Sequence, residues 1–174
     1  MMVYIIDNRA PNAPPPASVG ALMRHHDDFA EGWHRVLRAL PGHEDAKILI
    51  VTPNESLINI TARVIGEVQT HWTIYLLRII AHGSPGYLEL GTGVSRPQAR
   101  NFSRIARYFT PSHLNGRGVE IHGCSVAGGT SGRALLQRIA DAVGMPVAGS
   151  PDWQAADSRF QFEGNLIRVA PRDH

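Results

Sequence analysis

The sequence has almost no cysteine, no long apolar run and no dominant charge, and each shortage removes a class of protein. A single cysteine, Cys124, excludes an intramolecular disulfide framework and any zinc site built from several thiolates. The uninterrupted apolar stretches are only a few residues long, far short of the roughly 20 that a helix needs to cross a bilayer. The N-terminal MMVYIIDNRA has neither a basic leader nor a small-residue cleavage site, so a soluble, cytoplasmic protein is expected. The 17 Lys+Arg only just outnumber the 15 Asp+Glu and are scattered along the chain, which leaves no basic stripe for nucleic acid. There is no internal repeat.

What remains is a chain that should fold. With 174 residues, 43% of them hydrophobic and 18% charged, it is too apolar for disorder and large enough to bury one core, so a single domain over 1–174 is expected. Its nine histidines carry no meaning by number, because most surface imidazoles are simply solvated.

Apolar runs at 2–6, 47–51, 72–81, 118–122 and 146–150 read as strands buried on both faces. Between them, amphipathic spacing predicts helices over 21–40, from Pro53 to about Gln69, from Ser95 past Phe109, and over 131–143. Thr52-Pro53-Asn54-Glu55 reads as a capping box, and the prolines at 11, 14, 15 and 16 make 8–19 an extended loop. Residues 87–90 suggest a small edge strand, and 159–169 a hairpin around Gly164-Asn165. Strand and helix alternate throughout, which predicts an α/β fold: a mostly parallel sheet, helices on both faces, right-handed crossovers.

In such sheets the working groups lie beyond the carboxyl ends of the strands. Two reactive residue types reach that edge here. His82 follows one strand and precedes Gly83, while Cys124 follows the next core strand after Gly123 and precedes the small-residue run SVAGGTSG. A thiol of intrinsic pKa about 8.5 becomes a good nucleophile near neutrality when an imidazole takes its proton. Attack on a carbonyl creates an oxyanion, which backbone N–H groups at tight turns stabilise by roughly 3 kcal/mol per donor. Gly83 and Cys124 can offer such donors.

These residues sit in text that resembles a known family. LLRIIAHGSPGYLELG, a helix, and then VEIHGCSVAGGTSGRALLQRIADAVGMPVAGS are similar to the bacterial DUF4347 domain over about residues 74 to 153. That domain is a caspase-like relative of the clan of cysteine peptidases that includes caspases, metacaspases, gingipains, clostripain and separase. The resemblance implies a caspase-like three-layer α/β/α sandwich and a His82/Cys124 dyad with an oxyanion hole from the amides of Gly83 and Cys124. It implies a protein or peptide substrate and no cofactor. Ser125 departs from the asparagine that often follows the cysteine in the family.

In this clan the S1 pocket is usually built where Asp7 ends the first strand and where Ser150, Asp152 and Trp153 follow the fourth. An acidic floor there favours Arg or Lys at P1. For Asp7 and Asp152 the alternative is a turn-forming role, an Asx turn in DNRAPN and a turn after Pro151. His122, two before the cysteine, reads as a core or supporting imidazole. A metal held by His82, His122 and Cys124 lacks further ligands, so none is expected.

Two other functions compete with a cysteine endopeptidase. One is a catalytically silent caspase-like module that binds a protein partner. The other is a serine hydrolase, since Gly123-Cys124-Ser125-Val126-Ala127 is one residue from the G-x-S-x-G elbow and makes Ser125 the nucleophile. That reading needs an acid and then a histidine downstream, and the only histidine after Ser125 is His174.

Overall fold

Five of the predicted buried runs form parallel strands. In a computed structural model, which describes residues 1–10, 29–68, 73–110, 118–154 and 162–172, the chain runs β1 (Met2–Asp7), α1 (Phe29–Arg38), β2 (Lys47–Val51), α2 (Leu57–Val68) and β3 (Leu76–Ile80). A two-stranded hairpin follows, β4 (Gly83–Ser84) and β5 (Tyr87–Leu88), and then α3 (Arg96–Ala99), which continues as a 3₁₀ segment (Arg100–Tyr108). β6 (Gly118–His122), α4 (Gly129–Val143), β7 (Val147–Gly149) and β8 (Ile167–Val169) complete the order. The six-stranded sheet has the order β2-β1-β3-β6-β7-β8, parallel except for the antiparallel β7–β8 pair. The fold is therefore an α/β sandwich.

The layers follow from the order of connection. The step from β1 to β2 runs one way across the sheet, while the steps to β3, β6 and β7 run the other way. Crossovers of one hand must then put α1 on one face and α2, α3 and α4 on the opposite one. The packing agrees. Trp33 and Leu37 of α1 cluster with Tyr4, Ile6, Leu76 and Ile80. On the other face Val3, Ile5, Leu77, Ile79, Val119 and Ile121 meet Ile60 and Val64 of α2, Phe102 and Ile105 of the 3₁₀ segment, and Leu135, Leu136 and Ile139 of α4. Each of these large side chains contributes roughly 1.5–3 kcal/mol by leaving water. β1, paired on both sides, is buried at every position, which is why MVYIID shows no alternation.

Several local expectations shift. The Thr52–Glu55 motif closes a separate turn, with the Thr52 N–H donating to Glu55 Oε1 at 2.9 Å, and Arg63 holds the same carboxylate at 2.7 Å. Helix α2 starts later, at Leu57, where Ser56 Oγ accepts the Asn59 N–H. The stretch after β3, read as a turn that ends pairing, carries its own hairpin through Pro85-Gly86, with Gly86 at φ +77°. Ile167–Val169 pairs with β7 instead of closing a hairpin on the residues just before it. Residues 11–19 of the proline-rich loop, 21–28 of the first helix, 69–72 and 159–161 lie outside the described residues. Among the described residues no helix is long and apolar enough to cross a membrane.

Candidate active site

Because β1, β3, β6 and β7 are parallel neighbours, their carboxyl ends share one edge of the sheet. In register, Ile80 of β3 lies beside His122 of β6, and Ile121 beside Gly149 of β7. The chain leaves β3 through Ala81, whose N–H still reaches the His122 carbonyl at 3.4 Å, and then presents His82, exposed to solvent.

The glycines flanking the two reactive residues have a common cause. A Cβ on Gly83 would lie 3.0 Å from the Cys124 carbonyl oxygen and 3.3 Å from the carbonyl carbon of Gly123. A Cβ on Gly123 would lie 3.1 Å from the Ala81 carbonyl oxygen and 3.7 Å from the Gly83 Cα. The His-Gly and Gly-Cys turns thus approach closely, with the Leu88 side chain beside Gly123, and a side chain at either glycine would force its neighbours to give way.

Two N–H groups at this junction are uncommitted among the described residues. Glu89 donates to the His82 carbonyl at 2.8 Å, so Gly83, opposite Leu88, occupies a non-hydrogen-bonded site of the β4–β5 ladder and turns its N–H away from β5. The N–H of Cys124 makes no hydrogen bond among the described residues. Directly after it Ser125 adopts φ +52°, the only positive φ at a non-glycine among the described residues. Its N–H is held by the Asp152 carbonyl at 2.8 Å, and the Ala127 N–H by the Ser150 carbonyl at 3.1 Å. The segment after β7 is therefore laced to the turn that carries the thiol.

Cys124 is half-buried, and its sulfur is met by Gln154, a residue that no sequence signal singles out. Sγ–H donates to the Gln154 carbonyl at 3.4 Å, and the Gln154 N–H donates to Sγ at 3.5 Å. Gln154 is itself clamped: its side-chain amide donates to the Glu163 carbonyl at 2.9 Å and accepts the Glu163 N–H at 3.0 Å. Among the described residues no hydrogen bond joins Cys124 to His82.

The remaining expected site residues divide. Asp7, fully buried, accepts the Arg9 N–H at 3.0 Å, both ends of the Arg9 guanidinium at 2.8 Å and the Gly91 N–H at 2.8 Å. Burial alone would raise its carboxyl, but the hydrogen bonds from Arg9 and Gly91 outweigh that and hold it below the ordinary range. The carboxylate is already neutralised and saturated, and the bond to the Arg9 N–H is the Asx turn. Ser150 is buried, with Oγ donating to the Asn165 carbonyl at 2.9 Å and accepting the Asp152 N–H at 3.0 Å. Asp152 takes the N–H and the side-chain amide of Asn165 on Oδ2, while Oδ1 has no partner among the described residues. Trp153, beside Gln154, is 71% exposed.

His122 points into a polar chain on the α1 side of the sheet. Its Nε2 lies 3.3 Å from Glu120 Oε2, its ring stacks on Phe162 at 4.4 Å, and Glu120 accepts Arg78 Nε at 2.6 Å. Arg78 also donates to Tyr4 Oη at 2.9 Å. Burial would raise the Glu120 carboxyl, yet His122 and Arg78 together pull it below its usual value. Among the described residues no group of three or more His, Cys, Asp or Glu side chains could hold a metal ion.

The fold and edge define an α/β sandwich with a thiol and an imidazole carried on adjoining turns at the carboxyl ends of neighbouring strands. The family follows from the sequence as a whole: DUF4347, a domain of unknown function, matches residues 27–157, and the chain belongs to that family. The match begins well before residue 74 and so takes in α1, β2 and α2 as well. Among the curated proteins none matches.

Proposed function

We propose that this chain is a caspase-like cysteine endopeptidase with Cys124 as nucleophile and His82 as general base and then acid. The observation that carries the reading is the close approach of the two turns, in which a Cβ on Gly83 would lie 3.0 Å from the Cys124 carbonyl oxygen. It puts a half-buried thiol and an exposed imidazole on abutting turns and, among the described residues, leaves the Gly83 and Cys124 N–H groups uncommitted, as an oxyanion requires.

The steps follow. The imidazole takes the thiol proton, the sulfur attacks the scissile carbonyl carbon, and the oxygen becomes an oxyanion held by the two amides. Collapse breaks the C–N bond, the imidazolium returns its proton to the leaving amine, and a thioester remains. Water, deprotonated by the same imidazole, hydrolyses it and restores the thiol. Gln154 occupies the thiol at rest, so a substrate main chain must displace it before attack. Of the two acids considered for P1 recognition, Asp152 has no partner on Oδ1 among the described residues whereas both oxygens of Asp7 are taken, so a basic P1 residue would rest on Asp152.

Reaction with iodoacetamide or an acyloxymethyl-ketone peptide tests the dyad. Cys124 should be labelled rapidly in the parent protein and slowly after His82→Ala, and equal rates would remove His82 from the mechanism. The serine-hydrolase alternative has one observation in its favour, the φ of +52° at Ser125, since a nucleophile elbow is strained in this sense. Retained activity in Ser125→Ala, with loss in Cys124→Ala, separates the two. A silent binding module would show neither turnover nor selective labelling.

A further inference from the structure

Away from the carboxyl ends of the strands, the seam between α3, α4 and the segment after β8 forms an open cavity of about 490 Å³ lined by Arg96, Pro97, Ala134, Gln137, Arg138 and Arg172. Three arginines line it, and among the described residues no Asp or Glu does. Arg172 is engaged: its N–H and Nε donate at 3.0 Å to Asp141, a side chain only 3% exposed, and its Nη2 bonds the same carboxylate. Asp141 also takes the amide of Gln137 at 2.9 Å, and Gln137 spans to the Ala170 carbonyl at 2.8 Å. The hydrogen bond from Arg172 holds the Asp141 carboxyl far below the usual range, so this pair is internally neutral.

The other two arginines have nothing comparable. Asp141 is the i+3 neighbour that Arg138 would ordinarily pair with on α4, but it is taken by Arg172. Arg96 opens a stretch, RPQA followed by RNFSRIARY, that contains no acidic residue at all. Neither Arg96 nor Arg138 has an ion-pair or hydrogen-bond partner among the described residues. Two guanidiniums around one concavity repel each other, and among the described residues no carboxylate pairs with either.

We propose that this cavity binds a small phosphate-bearing ligand, gripped by the guanidinium forks of Arg96 and Arg138 against the rigid Arg172–Asp141–Gln137 wall. A planar fork with paired donors matches phosphate oxygens two at a time, and the volume falls in the range of small-molecule sites. The site is separate from the proposed peptidase centre and does not depend on it.

Titration calorimetry on the full chain with inorganic pyrophosphate, ADP and citrate at constant ionic strength tests it. Saturable binding of pyrophosphate is expected, with citrate weaker. ADP binding more tightly than pyrophosphate would identify a nucleotide as the source, and equal affinity a ligand known by its phosphates alone. Arg96→Ala and Arg138→Ala, both at exposed positions that leave the fold intact, should each weaken binding roughly tenfold. Arg104→Ala, in the same basic stretch but off the cavity lining, should not. Absence of saturable binding, equal affinity for citrate, or equal weakening by Arg104→Ala would overturn the proposal.

Discussion

The carboxyl ends of β1 and β6 flank β3 on the same edge of the sheet, yet they are built in opposite ways. At the end of β1 Asp7 is saturated by Arg9 and Gly91, and Arg9 goes on to bond the carbonyls of Glu89 and Gly91 at 3.0 and 2.7 Å. At the end of β6, among the described residues, the Cys124 N–H makes no hydrogen bond and the thiol makes only weak sulfur contacts to Gln154, while Ser125 is strained. A position at this edge does not by itself mark a site. The difference lies in saturation: a satisfied corner holds structure, and an unsatisfied one keeps donors for a guest. The largest test of that contrast is Cys124→Ala, which should cut peptide hydrolysis by about 10³-fold or more and change stability little, because a half-buried thiol packs loosely. Unchanged hydrolysis in a peptide-cleavage assay would sink the peptidase reading outright.

His82→Ala should come next, lowering kcat/KM by about 10²- to 10⁴-fold, the usual scale for a general base. Its side chain is exposed, so the unfolding free energy should stay within about 0.5 kcal/mol of the parent in urea melts. A large stability loss with no kinetic effect would instead make the His-Gly turn a packing device.

Asp7→Asn tests the satisfied corner. It removes the charge on which Arg9 and Gly91 converge and should cost about 2–3 kcal/mol by denaturant unfolding, with Arg9 partly solvated and able to relax. The pH dependence has a definite sign. The folded carboxyl lies below its ordinary value of 3.8, so its contribution is present above 3.8 and lost as the pH falls below that through the lower folded value. The parent should therefore lose more stability than Asp7→Asn over this acid interval, and identical acid profiles would show that the corner is worth little.

The sheet was legible because MVYII, KILIV and VEIH stand out as apolar runs with turn residues at their ends, although of these three only β1 is buried throughout and the edge strand β2 and β6 keep half-buried positions. The two strand-end motifs were legible for the same reason, since a histidine or cysteine framed by glycine after such a run has nowhere else to sit. Contacts fixed by main chain were not legible. Nothing in the residue type of Gln154 shows that its backbone will cap the Cys124 thiol, because any residue has an N–H and a carbonyl to give. Asp7 was ambiguous for another reason. A carboxylate at a strand end fits a substrate pocket as well as an Asx turn, and the choice was made by Arg9 and by Gly91, which is brought close only by the fold.

The smallest effect should come from Ser125, and it bears on why the unsatisfied corner is strained at all. Its φ of +52° costs a serine of the order of 1 kcal/mol, which glycine avoids. Ser125→Gly should thus raise stability by about 0.5 kcal/mol, once the extra freedom of the unfolded glycine is subtracted. Ser125→Ala keeps the strain and removes only the hydroxyl. If the left-handed turn serves to aim the Cys124 N–H and thiol, the glycine variant, free to leave that conformation, should lose more activity than the alanine variant despite being the more stable of the two. The Ser125 N–H to Asp152 carbonyl bond, at 2.8 Å, resists that loss, so the expected drop is about two- to fivefold and no larger. Equal activity in both variants would leave the strain as a by-product of threading β6 into α4, whereas abolished activity in Ser125→Ala would move the nucleophile from the sulfur to the hydroxyl.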